Sequence, residues 1–257
     1  MLNAFDDTPI SYVMLKNNAS IVLSDYIGKE LSIVYHNEIR CCSCGRKTSK
    51  SFMNGYCFPC FQSSPETSPC IVRPELCRAH LGEGRDPEWE QKHHNQEHIV
   101  YLAYTSGFKV GVTRASYIPT RWFDQGAIAS VVLARTPNRY LAGCIEVALK
   151  EIMADKTSWQ RMLKQGPDDS LNFDDVMHKA VSVLPIDLKQ YVNQFATPYY
   201  WTYPVIQYPE KVKSLTLDKA PLISGTLTGI KGQYLYIDST HVFNVRRHTG
   251  YVASIDW

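Results

Sequence analysis

Two C-x-x-C pairs, Cys41-Cys42-Ser43-Cys44 and Cys57-Phe58-Pro59-Cys60, constrain this chain more than any other stretch. Twelve residues separate them. A C-x-x-C turn aims two thiolates at one point, and two such turns complete a tetrahedral S4 shell of the kind that holds zinc. The expected ligands are Cys41, Cys44, Cys57 and Cys60; Cys42 is the spare thiol, because only Cys41 has the two-residue spacing to Cys44. Gly45 suits the close backbone turn behind the second sulfur. A closed S4 shell leaves no position for water, so the expected metal is structural Zn2+, with iron in a rubredoxin-like site as the chemical alternative.

The chain carries eight cysteines, and its opening residues MLNAFDDTPI lack the basic and apolar segments of a secretory signal. That combination points to a reducing compartment, where close cysteines serve metals more often than disulfides. The expected location is cytoplasmic. No apolar run approaches the ~18 residues of a membrane span, so no membrane partner is expected. With 44% hydrophobic and 20% charged residues, the composition excludes a disordered chain. A formal charge of +2 does not argue by itself for a polyanionic partner. Any nucleic-acid surface must come from local clusters, and the candidate contacts are Arg46, Lys47 and Arg114. A solvated basic loop explains Arg46 and Lys47 equally well. Cys70, Cys77, His80 and His94 form a second candidate ligand set for zinc, with His93 and His98 competing nearby. Their spacings match no compact knuckle, and free thiols with surface histidines are the alternative.

Residues 20–40 alternate as strands do, and lead straight into the first knuckle. His98 to Tyr104 is a dense apolar run, as in a buried strand, and Phe108 to Arg114 returns after a short Thr-Ser-Gly turn. Gly111, in the middle of that second strand, costs stability unless something approaches its backbone closely. A helix opens near Thr120, a third strand runs from Ala127 to Ala134, and a helix spans Leu141 to Ile152 with Ile145, Ala148, Leu149 and Ile152 as its apolar stripe. Glu146 sits beside that stripe. Farther on, an Asp155-Lys156-Thr157 turn precedes a short helix, and Phe173 to Leu184 and Leu188 to Phe195 read as amphipathic helices split by Pro185. Thr197 to Tyr208 is an aromatic run that reads as core or seam, with base stacking as the alternative. Residues 215–254 are β again. GIKGQYLYI and DYIGKELSI share a G-x-x-L-x-I pattern, so the two chain ends are expected to build one small barrel or sandwich.

Tyr101 in the first central strand, Lys109-Val110-Gly111 in the second, Arg121 at the start of a helix and Glu146 in a later helix follow the order of the GIY-YIG endonuclease superfamily. The stretch from residue 98 to 152 resembles it, and is most similar to branches that write the second motif as K-I-G followed by Thr. Lys109 stands where the second motif has a tyrosine, and Ile99-Val100-Tyr101 lacks the leading Gly of the first. The resemblance implies phosphodiester hydrolysis with one divalent metal. Glu146 would ligate Mg2+, Tyr101 would act with water on the nucleophile, and Arg121 would neutralise transition-state charge. Lys109 would hold phosphate. The whole chain also resembles an uncharacterised bacterial family through Arg73 to Cys77, Arg85 to Trp89, Val100 to Ala103, Lys109 to Arg114, Ile118 to Trp122, Asp124 to Ala127 and Ala148 to Lys150. That resemblance implies no established biochemistry.

The expected fold class is α+β: a small GIY-YIG-like core, a three-stranded sheet with helices, plus a zinc ribbon and a β-rich barrel or sandwich. The expected organisation is an N-terminal β segment (1–40), a zinc-knuckle region (41–97), the core (98–165), a helical and aromatic segment (166–214) and a C-terminal β segment (215–257). A nucleic-acid partner is expected, as substrate of an endonuclease. The alternatives are a non-catalytic zinc-ribbon nucleic-acid-binding protein and a zinc-stabilised protein-interaction scaffold.

Overall fold

The computed structural model describes residues 9–16, 19–153, 157–168 and 170–257. In chain order the elements are β1 (Val13–Lys16), β2 (Ala19–Val22), β3 (Glu30–Arg40), β4 (Lys47–Thr48), α1 (Phe58–Ser63), α2 (Pro87–His94), β5 (His98–Tyr104), β6 (Phe108–Arg114) and α3 (Thr120–Asp124). There follow β7 (Ala129–Thr136), α4 (Arg139–Leu149), α5 (Trp159–Lys164), α6 (Phe173–Val183), β8 (Tyr199–Tyr200), β9 (Lys213–Leu215), β10 (Leu222–Lys231), β11 (Tyr234–Ile237), β12 (His241–Asn244) and β13 (Tyr251–Asp256). The architecture is mixed α+β with three sheets among the described residues. No helix among them is long and apolar enough to cross a membrane. The turn expected at Asp155-Lys156 lies outside the described residues.

One compact unit contains Ser63–Met162 and Pro167–Trp201. Its sheet has the order β6-β5-β7-β8, all antiparallel. The central β5 is buried along its first six residues, which is why its sequence is apolar throughout rather than alternating. Val100 and Leu102 of β5, Val110 and Val112 of β6, and Val131 and Leu133 of β7 share a core with Ala142, Ile145 and Leu149 of α4 and Phe173, Ala180 and Leu184 of α6. Asn138 caps α4 through its side chain, which accepts from the Leu141 amide at 3.0 Å.

The structure differs from expectation at two places in this unit. The sheet has a fourth strand: β8, from the aromatic run, pairs with β7, and Trp201 is buried beside it. Leu188 to Phe195 does not form a helix beyond a single turn at Lys189–Tyr191. Val192 instead bridges to Ala134, and the Asn193 amide donates to the Leu133 carbonyl at 2.8 Å. The backbone groups of this segment are satisfied by the sheet, so the local helical pattern loses.

The second unit contains Asp7–Gln62, Leu163–Gly166 and Thr202–Trp257. Its main sheet runs β13-β3-β10-β11-β12-β9, with β4 pairing to the end of β3. The long β3 lies between β10 and β13, so strands from both chain ends share this sheet. The two G-x-x-L-x-I stretches are not paired with each other. Leu31 and Ile33 of the first and Leu235 and Ile237 of the second instead enter one core, with Ile223, Leu227, Ile230 and Phe243.

Candidate functional site

The first knuckle follows directly from β3, which ends at Arg40 and pairs there with Lys47. The hairpin holds Cys41 to Arg46 in a tight loop: the Cys41 amide donates to the Arg46 carbonyl at 2.9 Å, and the Gly45 amide to the Cys41 carbonyl at 2.9 Å. Gly45 takes a φ of +71°, the left-handed conformation that this turn requires. The sulfurs of Cys41, Cys44, Cys57 and Cys60 all lie within 4.8 Å of one another, with Cys44 and Cys57 at 3.8 Å. Burial works against a Cys41 thiolate, but the amides of Cys44, Cys57 and Ser43 hold its pKa down at about 6. Such amide-to-sulfur hydrogen bonds suit a metal thiolate. The cluster is geometrically compatible with zinc. Cys42 is exposed and outside the set, its amide donating to the Gly55 carbonyl at 2.8 Å. Arg46 and Lys47 are exposed on the same loop, and Lys47 reaches Glu38 at 3.8 Å.

A second group of ligand-type side chains forms in the other unit. Cys70 Sγ, Cys77 Sγ and a ring nitrogen of His94 lie within 4.8 Å of one another, all three residues buried. His94 comes from the last turn of α2, a helix fixed at its start by Pro87 and by the Asp86 side chain, which accepts from the Trp89 amide at 3.0 Å. His94 Nδ1 stands 3.7 Å from Cys70 Sγ and 3.7 Å from Glu90 Oε2. His80 is outside this set. Its ring stacks on Tyr140 at 4.8 Å between centroids, and its Nδ1 is buried with no hydrogen-bond partner among the described residues.

The central polar residues divide between two places. Tyr101 is fully buried on the β5 face opposite the helical core, where its ring packs edge-on to Trp122 at 6.2 Å. Gln125, just past α3, links Tyr101 to Arg121: it lies 3.0 Å from the Tyr101 hydroxyl and accepts from Arg121 Nη2 at 3.1 Å and Nε at 3.2 Å. Burial pushes the Tyr101 pKa up, against the opposing effects of Arg121 and Gln125, so the phenol is protonated at neutral pH. Glu146 is buried on α4, and its Oε2 accepts from Lys150 Nζ at 3.3 Å. Its charge is felt at both Tyr101 and Arg139.

Arg121 also lines a cavity of about 190 Å³ with Arg114 and Arg139. Trp89 and Tyr117 add rings to its wall, His93 and His94 add imidazoles, and Thr113 adds a hydroxyl. Among the described residues no acidic one lines it. Lys109 is not part of this wall; it sits on β6 opposite Ala103, two residues before Gly111. The structure therefore brings Arg114 and Arg121 to one cavity, and leaves Tyr101, Glu146 and Lys109 out of its wall.

The sequence marks the Arg135 to Arg139 stretch as a basic patch and sets Gln125 beside Arg121, but neither Arg139 nor Gln125 is among the expected site residues. Arg139 occupies the first turn of α4, where the helix dipole disfavours a cation. That misplaced charge was a readable signal of a specific partner. Its Nε donates to the Cys70 carbonyl and its Nη2 to the Ile71 carbonyl, each at 2.9 Å, so one guanidinium joins the cavity to the Cys70 loop.

No curated protein and no solved structure matches the chain. Residues 28–253 match the family described as "Protein of unknown function (DUF2797)", and the chain belongs to that family.

Proposed function

We propose that this protein acts on nucleic acid by seating a backbone phosphate against Arg114, Arg121 and Arg139, and that its chemistry is GIY-YIG-like, metal-dependent phosphodiester hydrolysis. The observation that carries the reading is that three arginines line one cavity with no carboxylate in its wall among the described residues. Guanidinium forks match phosphate oxygens, and fixed positive charge at a developing phosphorane is a principal source of catalysis. In this reading the stacked rings of Trp89 and His93, 4.1 Å between centroids, take a neighbouring base.

In this reading Arg121 contacts the phosphate, and Gln125 and Tyr101 position its guanidinium from behind. Tyr101, protonated, holds a proton rather than abstracting one. Glu146 is the carboxylate that would hold magnesium, which needs only one or two carboxylates beside phosphate and water oxygens. When bound, the ion supplies charge neutralisation to the phosphate. Lys150, now paired with Glu146, would have to release it. That ion pair and the protonated Tyr101 favour a second reading, a non-catalytic nucleic-acid-binding protein using the same cavity.

Single- and double-stranded DNA and RNA, offered with and without Mg2+, separate these readings. Magnesium-dependent cleavage that is lost in Glu146→Gln and in Arg121→Ala supports hydrolysis. Binding that weakens steeply with salt, without cleavage, supports the second reading. Absence of both cleavage and binding at low ionic strength sinks the assignment to nucleic acid.

A further inference from the structure

We infer that the chain binds a second zinc ion through Cys70, Cys77, His94 and His80. This site is separate from the S4 cluster and does not rest on what the arginine cavity binds.

The first argument is how one loop is held. Residues from Pro65 to Leu81 form four successive single 3-10 turns, with no strand and no longer helix. None of them joins the main hydrophobic core of their unit; Cys70, Cys77 and Ala79 form a small buried cluster, and the Pro74–Leu76 turn packs on α4, where Gly143 leaves room for the Pro74 and Glu75 backbone. The loop is held by its packing on α4 and by hydrogen bonds from Arg139 and Arg85 rather than by a large apolar core of its own. A metal that binds only the folded arrangement adds to the stability of such a loop.

The second argument is the geometry of the donors. The two sulfurs and the His94 ring nitrogen already lie within 4.8 Å of one another, all buried. Ser68 Oγ is 3.1 Å from Cys70 Sγ, and the Ala79 amide hydrogen-bonds to Cys77 Sγ. That amide stands two residues beyond its cysteine. The S4 knuckle uses the same device twice, with the Ser43 amide on Cys41 and the Arg46 amide on Cys44. Cys77-Arg78-Ala79-His80 shares that amide offset in C-x-x-H spacing, although the turn that follows differs, with the Leu81 amide on the Arg78 carbonyl where the knuckle has the Gly45 amide on the Cys41 carbonyl.

Three donors are one short of a closed tetrahedral shell. His80 follows Cys77 by three residues, and its buried Nδ1 lacks a hydrogen-bond partner among the described residues. An unsatisfied buried nitrogen is costly, and metal ligation satisfies it. His98 is the competitor: it is fully buried, its Nδ1 is 2.8 Å from the Gln96 carbonyl, and its Nε2 is unpartnered. It belongs to β5, however, and not to the loop that carries Cys70 and Cys77. Through His94, and through the Arg139 bonds to the Cys70 and Ile71 carbonyls, the ion would fix one wall of the cavity.

Metal analysis of the purified full chain tests the assignment. Two zinc ions per chain are expected, falling to one in a Cys70→Ser, Cys77→Ser double variant; a single zinc in the unaltered protein overturns it. Should that variant fail to fold, thiol alkylation of the unaltered protein decides. Cys70 and Cys77 are expected to resist iodoacetamide until a chelator is added, whereas a Cys70–Cys77 disulfide in protein purified under reducing conditions overturns the proposal. Cobalt substitution should add the spectrum of an S2N2 site to that of an S4 site. His80→Ala is expected to speed loss of the second ion to chelator by roughly tenfold or more, with His98→Ala unchanged. The reverse result overturns the role given to His80.

Discussion

The ring of Tyr101 occupies the space that a side chain on Gly111, its cross-strand partner, would need. A Cβ at position 111 would collide with the Tyr101 hydroxyl and Cζ. A glycine in mid-strand, otherwise a weakness, is thus the condition for burying a whole phenol against the sheet. Gly111→Ala is expected to destabilise the fold by about 1–3 kcal/mol through overpacking, and to displace the hydroxyl from Gln125. Urea unfolding measures the cost. In the double variant with Tyr101→Ala the two effects should be strongly non-additive; simple additivity would show that the ring is not the cause.

Arg139 holds the loop that carries Cys70 by two charged hydrogen bonds to carbonyls. Lysine has the charge but not the fork, so Arg139→Lys is expected to lose at least one of them, at about 1.5–3 kcal/mol. The damage should be local. Hydrogen exchange is expected to quicken between residues 69 and 77 while β10 to β12 stay protected. Unchanged exchange in that loop would mean the guanidinium is not its anchor.

The parts of this fold legible in the sequence were those whose cause is local. The knuckle spacing put four sulfurs together because a C-x-x-C turn needs only a few adjacent residues to close. β5 announced its burial through its unbroken apolar run. The segment after Leu188 misled because its helical pattern competes with the free edge of β7, and edge pairing is a tertiary fact. At the candidate site, Arg121 was visible through a motif, whereas Gln125 and Arg139 matter only because α3, β5 and the Cys70 loop meet around them. Lys109 illustrates the limit in the other direction: it lies two residues before Gly111 in the motif, yet it is absent from the cavity wall.

The S4 cluster gives a sharp test of ligand choice, because Cys41 and Cys42 are adjacent and only Cys41 belongs to the set. Cys41→Ser is expected to abolish zinc retention at this site and to expose residues 41–60 to proteolysis, since the metal would tie its two turns together. Cys42→Ser should leave zinc content and protease resistance unchanged. Equal zinc loss in the two variants would show that the cluster is not the one described.

Lys231 sets a pH dependence on the β-rich unit. It is fully buried, its Nζ donates to the Gln165 carbonyl at 2.6 Å, and the rings of Tyr203 and Tyr208 lie 5.2 and 5.4 Å away. Burial lowers its pKa from 10.5 to about 7. Between those values the unfolded chain binds the proton and the folded chain does not, so stability rises with pH through the window and falls as pH drops toward 7. The full effect is on the order of 5 kcal/mol. Tyr208, which burial pushes up to about 12, does not titrate within it. Lys231→Met should therefore be more stable than the unaltered chain at pH 7, because about 1–3 kcal/mol for the deserted Gln165 carbonyl is smaller than the cost removed. Its urea midpoint should also vary less between pH 7 and pH 9. A variant less stable at pH 7, with the slope retained, would show that the ammonium is satisfied where it lies and that the carbonyl and the two rings together replace its lost hydration.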